Sequence, residues 1–397
     1  MGDLAVDLQA RGHDVTVLTT APHYNRDLDA ERRQPMRAVW GPLLRRSEYH
    51  GVRVFHTAMP AKTPSVVRRI AAWCGFHAIS TLAGLVLVPK PDVILSPSPP
   101  LSIGVSAWIV ARLRRARYIY NVQEIYPDIA INLGAVRNAA LISALRTLER
   151  FVYRGAAAIT VIAPRMRDRL LAKHVPSSTI HVIPNFVDLA RLAPAPRHNA
   201  FSARHGLDDV VTLSYAGNMG PAQGLDVVFE AAKIVAGRAP VQFVLIGDGT
   251  LRARFASMAA GLHPANVTVL PYQPNSLMPL IYGASDVSLV PQAAATGSDA
   301  IPSKVYRIMA SGRPVIAVTD PSSDLAALVR TAGCGVAVPP SDPGALADAV
   351  MDAAGRRQAW REMGERGRSH VEAHYSREVV SGLYDELIRR IGADAVR

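Results

Sequence analysis

Apolar residues along this chain recur at two spacings, and the two alternate. Near the start, Leu4–Arg11 has helical spacing, Gly12 stops it, and Val15–Thr19 suits a strand. Val52–Thr57 reads as a second strand, and Asp92–Ser96, followed by Pro-Ser-Pro-Pro, as a third. A helix over Ile103–Arg115 leads into a strand at Tyr118–Val122. A helix over Asn138–Tyr153 leads into one at Ala158–Ile162. Strands alternating with helices predict parallel βαβ units and a doubly wound sheet.

The same alternation starts afresh further on. Ile183–Asp188 closes the first pattern, and Leu192–Ala200, with two prolines, reads as a linker. Strands are predicted at Val211–Tyr215, Val241–Ile246, Val267–Leu270, Val287–Val290, Val315–Val318 and Gly335–Val338. Helices are predicted at Leu225–Ala236, Leu251–Ala260, Ala345–Ala354, Arg357–Ala373 and Glu378–Ile391. The expectation is an α/β protein of two Rossmann-like domains, at 1–190 and 201–375, with a C-terminal helix over 376–397 packing back on the first. A doubly wound domain normally opens with a central strand and a glycine-rich turn into its first helix. This chain starts inside that helix. The first domain is therefore expected to lack its N-terminal strand, a unit of roughly 20–25 residues, and to be marginal without it.

Composition narrows the class. The chain has 397 residues, 49% of them hydrophobic and 19% charged, which suits two ordinary cores. Cys74 and Cys334 stand far apart, imply no disulfide framework and suit a reducing cytosol. Met1–Val17 is amphipathic and carries no apolar signal-peptide core. The net charge of +12 is uneven: up to residue 190 there are 24 Lys and Arg against 13 Asp and Glu, and thereafter 20 against 19. The first half should thus face something anionic: nucleic acid, an acidic membrane or a phosphorylated substrate. Ile70–Val88 has no charged residue and could be a buried helix, an interfacial one or a span. His77, Ser80, Thr81 and Gly84 on one stripe argue against a free span. Arg112, Arg114, Arg115 and Arg117 form a basic cluster that is either solvated surface or a headgroup contact.

Candidate chemistry centres on Thr296–Val318, a loop, a helix opening at Pro302-Ser303-Lys304, then Gly312 and a buried strand. Lys304 at a helix start makes electrostatic sense if an anion docks nearby, and is otherwise a tolerated surface lysine. Gly217-Asn218-Met219-Gly220 and Gly247-Asp248-Gly249 form turns at two other strand ends, where backbone N–H groups can approach a phosphate. In open parallel sheets ligands bind outside the carboxyl ends of strands. Asp27-Leu28-Asp29 is a D-x-D in a first-domain loop, and no His/Cys ligand spacing is present, so no metal is expected.

Several stretches resemble the retaining glycosyltransferases of family four, which have the two-domain GT-B fold, and within them the O-antigen and colanic-acid branch. They are LxxRGHDVTVLTTAPHY from Leu8, PDVILSPSPP, NVQEIYPD, VIPNFVD, YAGNMGPAQGLD, VLIGDGT, PSKVYRIMASGRPV and HVEAHYS, in family order over nearly the whole chain. The resemblance implies two domains facing a cleft and a nucleotide-diphosphate sugar as donor. Gly217 and Gly220 would let their loop meet the diphosphate, with Gly247 and Asp248 beside them. Lys304 would neutralise the leaving phosphate, and Ser303 would add a hydroxyl or backbone contact. Asp299 stands eight residues before Arg307, the spacing of the two acids of the usual E-x7-E motif. Asp299 would touch the donor sugar, while Arg307 replaces the acid that meets the ribose. Asn218 and Gln223 stand where the family has Arg and Lys. Glu124 would face the acceptor hydroxyl, or else cap a loop or pair with an arginine.

The activity so implied is transfer of a sugar to a polyprenyl-diphosphate-linked saccharide, by a cytoplasmic protein peripheral on the inner face of the plasma membrane. An epimerase would need histidine and carboxylates at the donor carbon, and a phosphorylase a cofactor lysine; neither is evident. A non-catalytic binder of nucleic acid or another anionic surface is the rival from a different class. The sequence pI of about 10 supports it and the lack of an aromatic-interleaved basic motif opposes it.

Overall fold

In the computed structural model, residues 1–21, 28–60, 66–132, 134–294 and 301–396 are described. The first half carries β1 (Thr16–Thr20), β2 (Arg37–Trp40), β3 (Leu44–Tyr49), β4 (Val52–Thr57), β5 (Val93–Pro97), β6 (Arg117–Val122), β7 (Ala158–Val161) and β8 (Ile180–Val182). They form two sheets rather than one, in the orders β1-β4-β3-β2 and β5-β6-β7-β8. The second sheet is parallel throughout. In the first, β1 and β4 are parallel, while β2 and β3 form an antiparallel hairpin that the sequence pattern did not predict. Arg45, Arg46 and Glu48 crowd that hairpin with charge, so no apolar alternation marks it.

The second half carries β9 (Val211–Ala216), β10 (Val241–Ile246), β11 (Val267–Leu270), β12 (Val287–Pro291), β13 (Val315–Val318) and β14 (Gly335–Val338). All pair in parallel, in the order β11-β10-β9-β12-β13-β14. β12 and β13 are buried at every position, which is why they read as continuous apolar runs. The order reverses between β9 and β12, and the crevice at such a switch point is where doubly wound sheets hold ligands.

Four helices of the first half and three near the end matter below. They are α1 (Gly2–Ala10), α2 (Val66–Val86), α3 (Ile103–Arg114), α4 (Ala139–Gly155), α5 (Lys304–Ala310), α6 (Arg357–His374) and α7 (Arg377–Val396). Among the described residues, α2 is the one helix long and apolar enough to cross a membrane. It packs on α3 through its polar stripe. His77 lies 2.8 Å from Ser102 Oγ and 3.1 Å from Ser106 Oγ, Ser80 is buried, and Gly84 fits against Val110 and Leu18. Ile70, Trp73, Leu82 and Val86 stay exposed. Arg114 of the basic cluster is occupied: its guanidinium donates to the carbonyls of Leu85 and Val88 at the end of α2.

The chain passes from the first half to the second through residues 188–200, and returns at 374–377. Val187 and Ser376 form a parallel bridge where the passages meet. Beyond it, α7 lies on the first half. Arg377 holds Asp7 with two hydrogen bonds of 2.7 Å, His13 Nε2 lies 2.6 Å from Asp385, and Tyr384 is buried against β6.

Candidate active site

The site forms beyond the ends of β9, β10 and β12. Two glycine turns interlock there: the Gly217 amide donates to Ile246 (2.9 Å), Met219 to Asp248 (2.7 Å) and Leu251 to Met219 (2.9 Å). That close approach dictates glycine at 247 and 249. Both have φ near +150°, and a Cβ on Gly247 would run into the Gly217 carbonyl. Gly247 and Asp248 thus brace the Gly217–Gly220 loop from behind, and the Gly249 amide is capped by Asp248 Oδ1 at 2.8 Å. Within the loop, Gly220 donates to Gln223 Oε1 at 3.1 Å, and Asn218 Nδ2 reaches the same oxygen at 3.4 Å. Where the sequence reading had both loop glycines offering N–H groups, the amides of Gly217, Met219 and Gly220 are already engaged within the protein.

Lys304 opens α5, with Ser303 as an exposed N-cap residue. The lysine folds back under the loop. Its Nζ donates to the Tyr215 hydroxyl at 3.0 Å and lies 4.1 Å from the centre of that ring. A side chain at 217 would put Cβ only 2.9 Å from Nζ, so glycine there makes the room the ammonium occupies. Burial lowers the Lys304 pKa to about 7. Tyr215, fully buried and bonded to the Asn218 carbonyl, joins the lysine to the loop. Its position at the end of β9 gave no chemical signal in the sequence.

Arg307 lies one turn beyond Lys304 and donates to Asn275 Oδ1 at 3.2 Å, so the residue in place of an acid is tied to the loop after β11. Asp299 lies outside the described residues. So does Asp27; the D-x-D was read as loop, but Leu28 and Asp29 start a short helix, Leu28–Arg33. Among the described residues no group of three His, Cys, Asp or Glu is assembled that could hold a metal.

Two family profiles match the chain, "Glycosyl transferase 4-like domain" over residues 1–185 and "Glycosyl transferases group 1" over residues 211–355. The chain belongs to the family-four glycosyltransferases of GT-B fold. It is 26% identical over 362 residues to the glycosyl transferase WcaI of Escherichia coli K12, named for colanic acid biosynthesis, covering 89% of this chain and 87% of that one. Over 327 residues it is 25% identical to the GDP-mannose-dependent alpha-(1-6)-phosphatidylinositol monomannoside mannosyltransferase of Mycolicibacterium smegmatis, covering 81% and 79%. In structure it is similar to Anabaena Alr3699/HepE in complex with UDP, with a TM-score of 0.71 at 12% identity, over 95% of this chain and all of that one. The sucrose-phosphate synthase of Thermosynechococcus elongatus gives 0.69 at 19% identity, over 98% and 92%.

In the first half of this glycosyltransferase, Glu124 follows β6, and burial raises its pKa. Among the described residues it makes no ion pair, so of its three readings the arginine-paired one is not realised. Among the described residues no hydrogen bond or ion pair links it to the Lys304 group. Beside it runs a buried polar chain that the sequence did not mark. Asn185 donates to Gln123 (3.1 Å), Gln123 to Asn121 (2.7 Å), and Asn121 to both Thr160 and Tyr384 (2.8 Å each). The two halves also touch directly, where the Arg165 amide donates to Asp324 Oδ2 at 2.9 Å.

Proposed function

We propose that this glycosyltransferase moves a sugar, with retention of anomeric configuration, from a nucleoside-diphosphate donor to a polyprenyl-diphosphate-linked saccharide. The setting is bacterial surface polysaccharide synthesis, of the O-antigen or lipopolysaccharide kind, at the cytoplasmic face of the plasma membrane. The observation that carries it is Lys304, held half-buried against Tyr215 at the switch point, with a depressed pKa that an anion would reverse. A nucleotide donor is supported by two of the similar proteins: HepE forms a complex with UDP, and the mycobacterial relative is named as GDP-mannose-dependent.

In this reading the acceptor hydroxyl attacks the anomeric carbon on the face from which the diphosphate leaves. The sugar–phosphate bond breaks, the glycosidic bond forms, and the hydroxyl proton passes to the departing phosphate oxygen. Lys304 neutralises the charge that builds on that phosphate, the kind of fixed charge that dominates such catalysis. Ser303, Asn218, Gln223 and the Gly217–Gly220 loop shape the diphosphate's place, Arg307 lies toward the ribose, Asp299 meets the donor sugar, and Glu124 faces the acceptor. No metal and no other cofactor takes part.

A lipid-linked acceptor is supported by the phosphatidylinositol monomannoside in the mycobacterial relative's name and by the outer face of α2. Its exposed Ile70, Trp73, Leu82 and Val86, with Leu113 of α3, offer apolar side chains beside Arg112 and Arg115 to an anionic bilayer surface. Incubation with labelled nucleotide sugars and bacterial membrane extract, in EDTA, tests the proposal. Transfer into the lipid fraction, with the donor's anomeric configuration kept in the product, is expected. The absence of both transfer and donor hydrolysis across a broad donor set would overturn it.

A further inference from the structure

A cavity of about 450 Å³, within the range of small-ligand sites, is lined entirely by residues of the first half. It opens between α4 and residues 173–176, which follow the helix Pro164–Ala172, and Asp128, just beyond β6, closes one side. The floor is electrically balanced. Glu149, 4% exposed, accepts hydrogen bonds from Lys173 Nζ at 2.6 Å and from the Tyr153 hydroxyl. Asp128 pairs with the same ammonium at 2.9 Å and with Arg169 at 3.0 Å. Two acids and two cations thus cancel.

The rim is unbalanced. Arg146, Arg150 and Arg154 recur every fourth residue and so lie along one side of α4. All three are exposed, and among the described residues none forms an ion pair. The one acid of α4 is Glu149, which is committed to Lys173. Like charges at this spacing repel, so an anion laid across the ridge relieves a repulsion that the helix otherwise carries.

Two neighbours narrow the anion. Glu124 stands four residues before Asp128, so their backbones lie within about 14 Å, the reach of a short saccharide. On the other side Phe151, 40% exposed, adjoins the arginine ridge and packs edge-on against Trp108 of α3, with ring centres 5.1 Å apart. α3 in turn connects α4 to α2 and its exposed apolar face. The anion that fits is multiply charged, with sugar toward Glu124 and apolar matter toward α3.

We propose that this cavity seats the diphosphate of the lipid-linked acceptor, an inference that rests on the acceptor proposed above. Arg146, Arg150 and Arg154 would meet its oxygens, the prenyl chain would leave over Phe151, and the saccharide would run toward Glu124. A diphosphate diester carries two negative charges, which guanidinium forks match in paired hydrogen bonds. A phosphatidylglycerol headgroup carries one and would leave two of the three guanidinium groups unbalanced.

The test compares the full chain with its Arg146→Gln/Arg150→Gln/Arg154→Gln variant. Calorimetry with inorganic diphosphate, while UDP saturates the donor site, should show binding that is at least tenfold weaker in the variant, with UDP affinity kept. No binding by the full chain, or equal binding by the variant, overturns the proposal. Should the triple variant lose UDP binding as well, Arg150→Gln alone replaces it under the same criterion. In turnover, the variant's KM for a polyprenyl-diphosphate saccharide should rise at least tenfold while the donor KM holds. An unchanged acceptor KM overturns the proposal, and loss of binding to phosphatidylglycerol vesicles alongside it would give the cavity to a membrane headgroup. A full chain that transfers to no lipid acceptor overturns the function proposed above, and the diphosphate binding then decides the cavity alone.

Discussion

The Lys304 ammonium sits 3.0 Å from the hydroxyl of Tyr215 and 4.1 Å from the centre of its ring, in room that Gly217 leaves by lacking a side chain. Two stretches far apart in sequence, Tyr215–Gly217 and the start of α5, thus meet at one ammonium, and the anion-binding role proposed for it can be titrated. With a pKa near 7, Lys304 is largely neutral at pH 8 in the empty protein, and a bound diphosphate restores its proton. UDP binding at pH 8 should therefore take up close to one proton. Affinity should fall as pH rises above about 7. Calorimetry in buffers of different ionisation heat measures the uptake, and Lys304→Met should abolish it. Stability runs the other way: unfolded lysine keeps its proton to about pH 10.4, so this group lets the fold gain stability from about pH 7 upward.

Replacing Lys304 with alanine should slow transfer about 10²–10³-fold, the usual range for losing one fixed charge or donor at a developing anion. The fold should tolerate it, because a poorly solvated cation is removed. Steady-state rates beside a urea melt separate the two effects. An unchanged rate would remove the central assignment.

Gly217 and Gly247 should respond to alanine in opposite ways. At 217 the new methyl meets the Lys304 ammonium at 2.9 Å and the Tyr215 hydroxyl at 3.1 Å, so UDP affinity should drop about tenfold or more while stability falls less than at 247. At 247 it meets the Gly217 backbone at a φ of +150°, and the domain should lose more than about 2 kcal/mol. Chemical denaturation with UDP titration distinguishes a binding lesion from a folding one.

Tyr384→Phe removes the hydroxyl that α7 offers to Asn121 and leaves a buried amide proton short of a partner. A loss of about 1–2 kcal/mol is expected, readable in urea unfolding. Arg377→Ala should cost about 1–3 kcal/mol, since Asp7 loses the guanidinium that holds it while Asp3 and Asp188 are left sharing the exposed Arg191. The Arg377 effect should shrink at high salt; that of Tyr384 should not.

The six-stranded sheet of the second half could be read almost strand by strand, because buried parallel strands are continuous apolar runs bounded by glycine and proline. Val241–Ile246, Val267–Leu270, Val315–Val318 and Gly335–Val338 have the bounds their residues suggested. The β2–β3 hairpin escaped because its charges hide the alternation. The glycine turns and Lys304 were legible as chemistry. Tyr215, Asn275 and the Asn121–Gln123 chain were not, since nothing in an isolated tyrosine or amide says what folds against it. The sequence could also suggest that Gly247 approaches a phosphate, but only the packing shows that its near neighbour is another turn.

The bridge between Val187 and Ser376 has a mechanical meaning. Two polypeptide passages join the halves and are clasped side by side by backbone hydrogen bonds, the Val187 N–H donating to the Tyr375 carbonyl (3.0 Å) and the Arg377 N–H to the Val187 carbonyl (3.1 Å). A single tether would let the halves swivel about any axis. Two passages clasped together resist the torsion that a single tether would allow, so the two halves are held against twisting about the join.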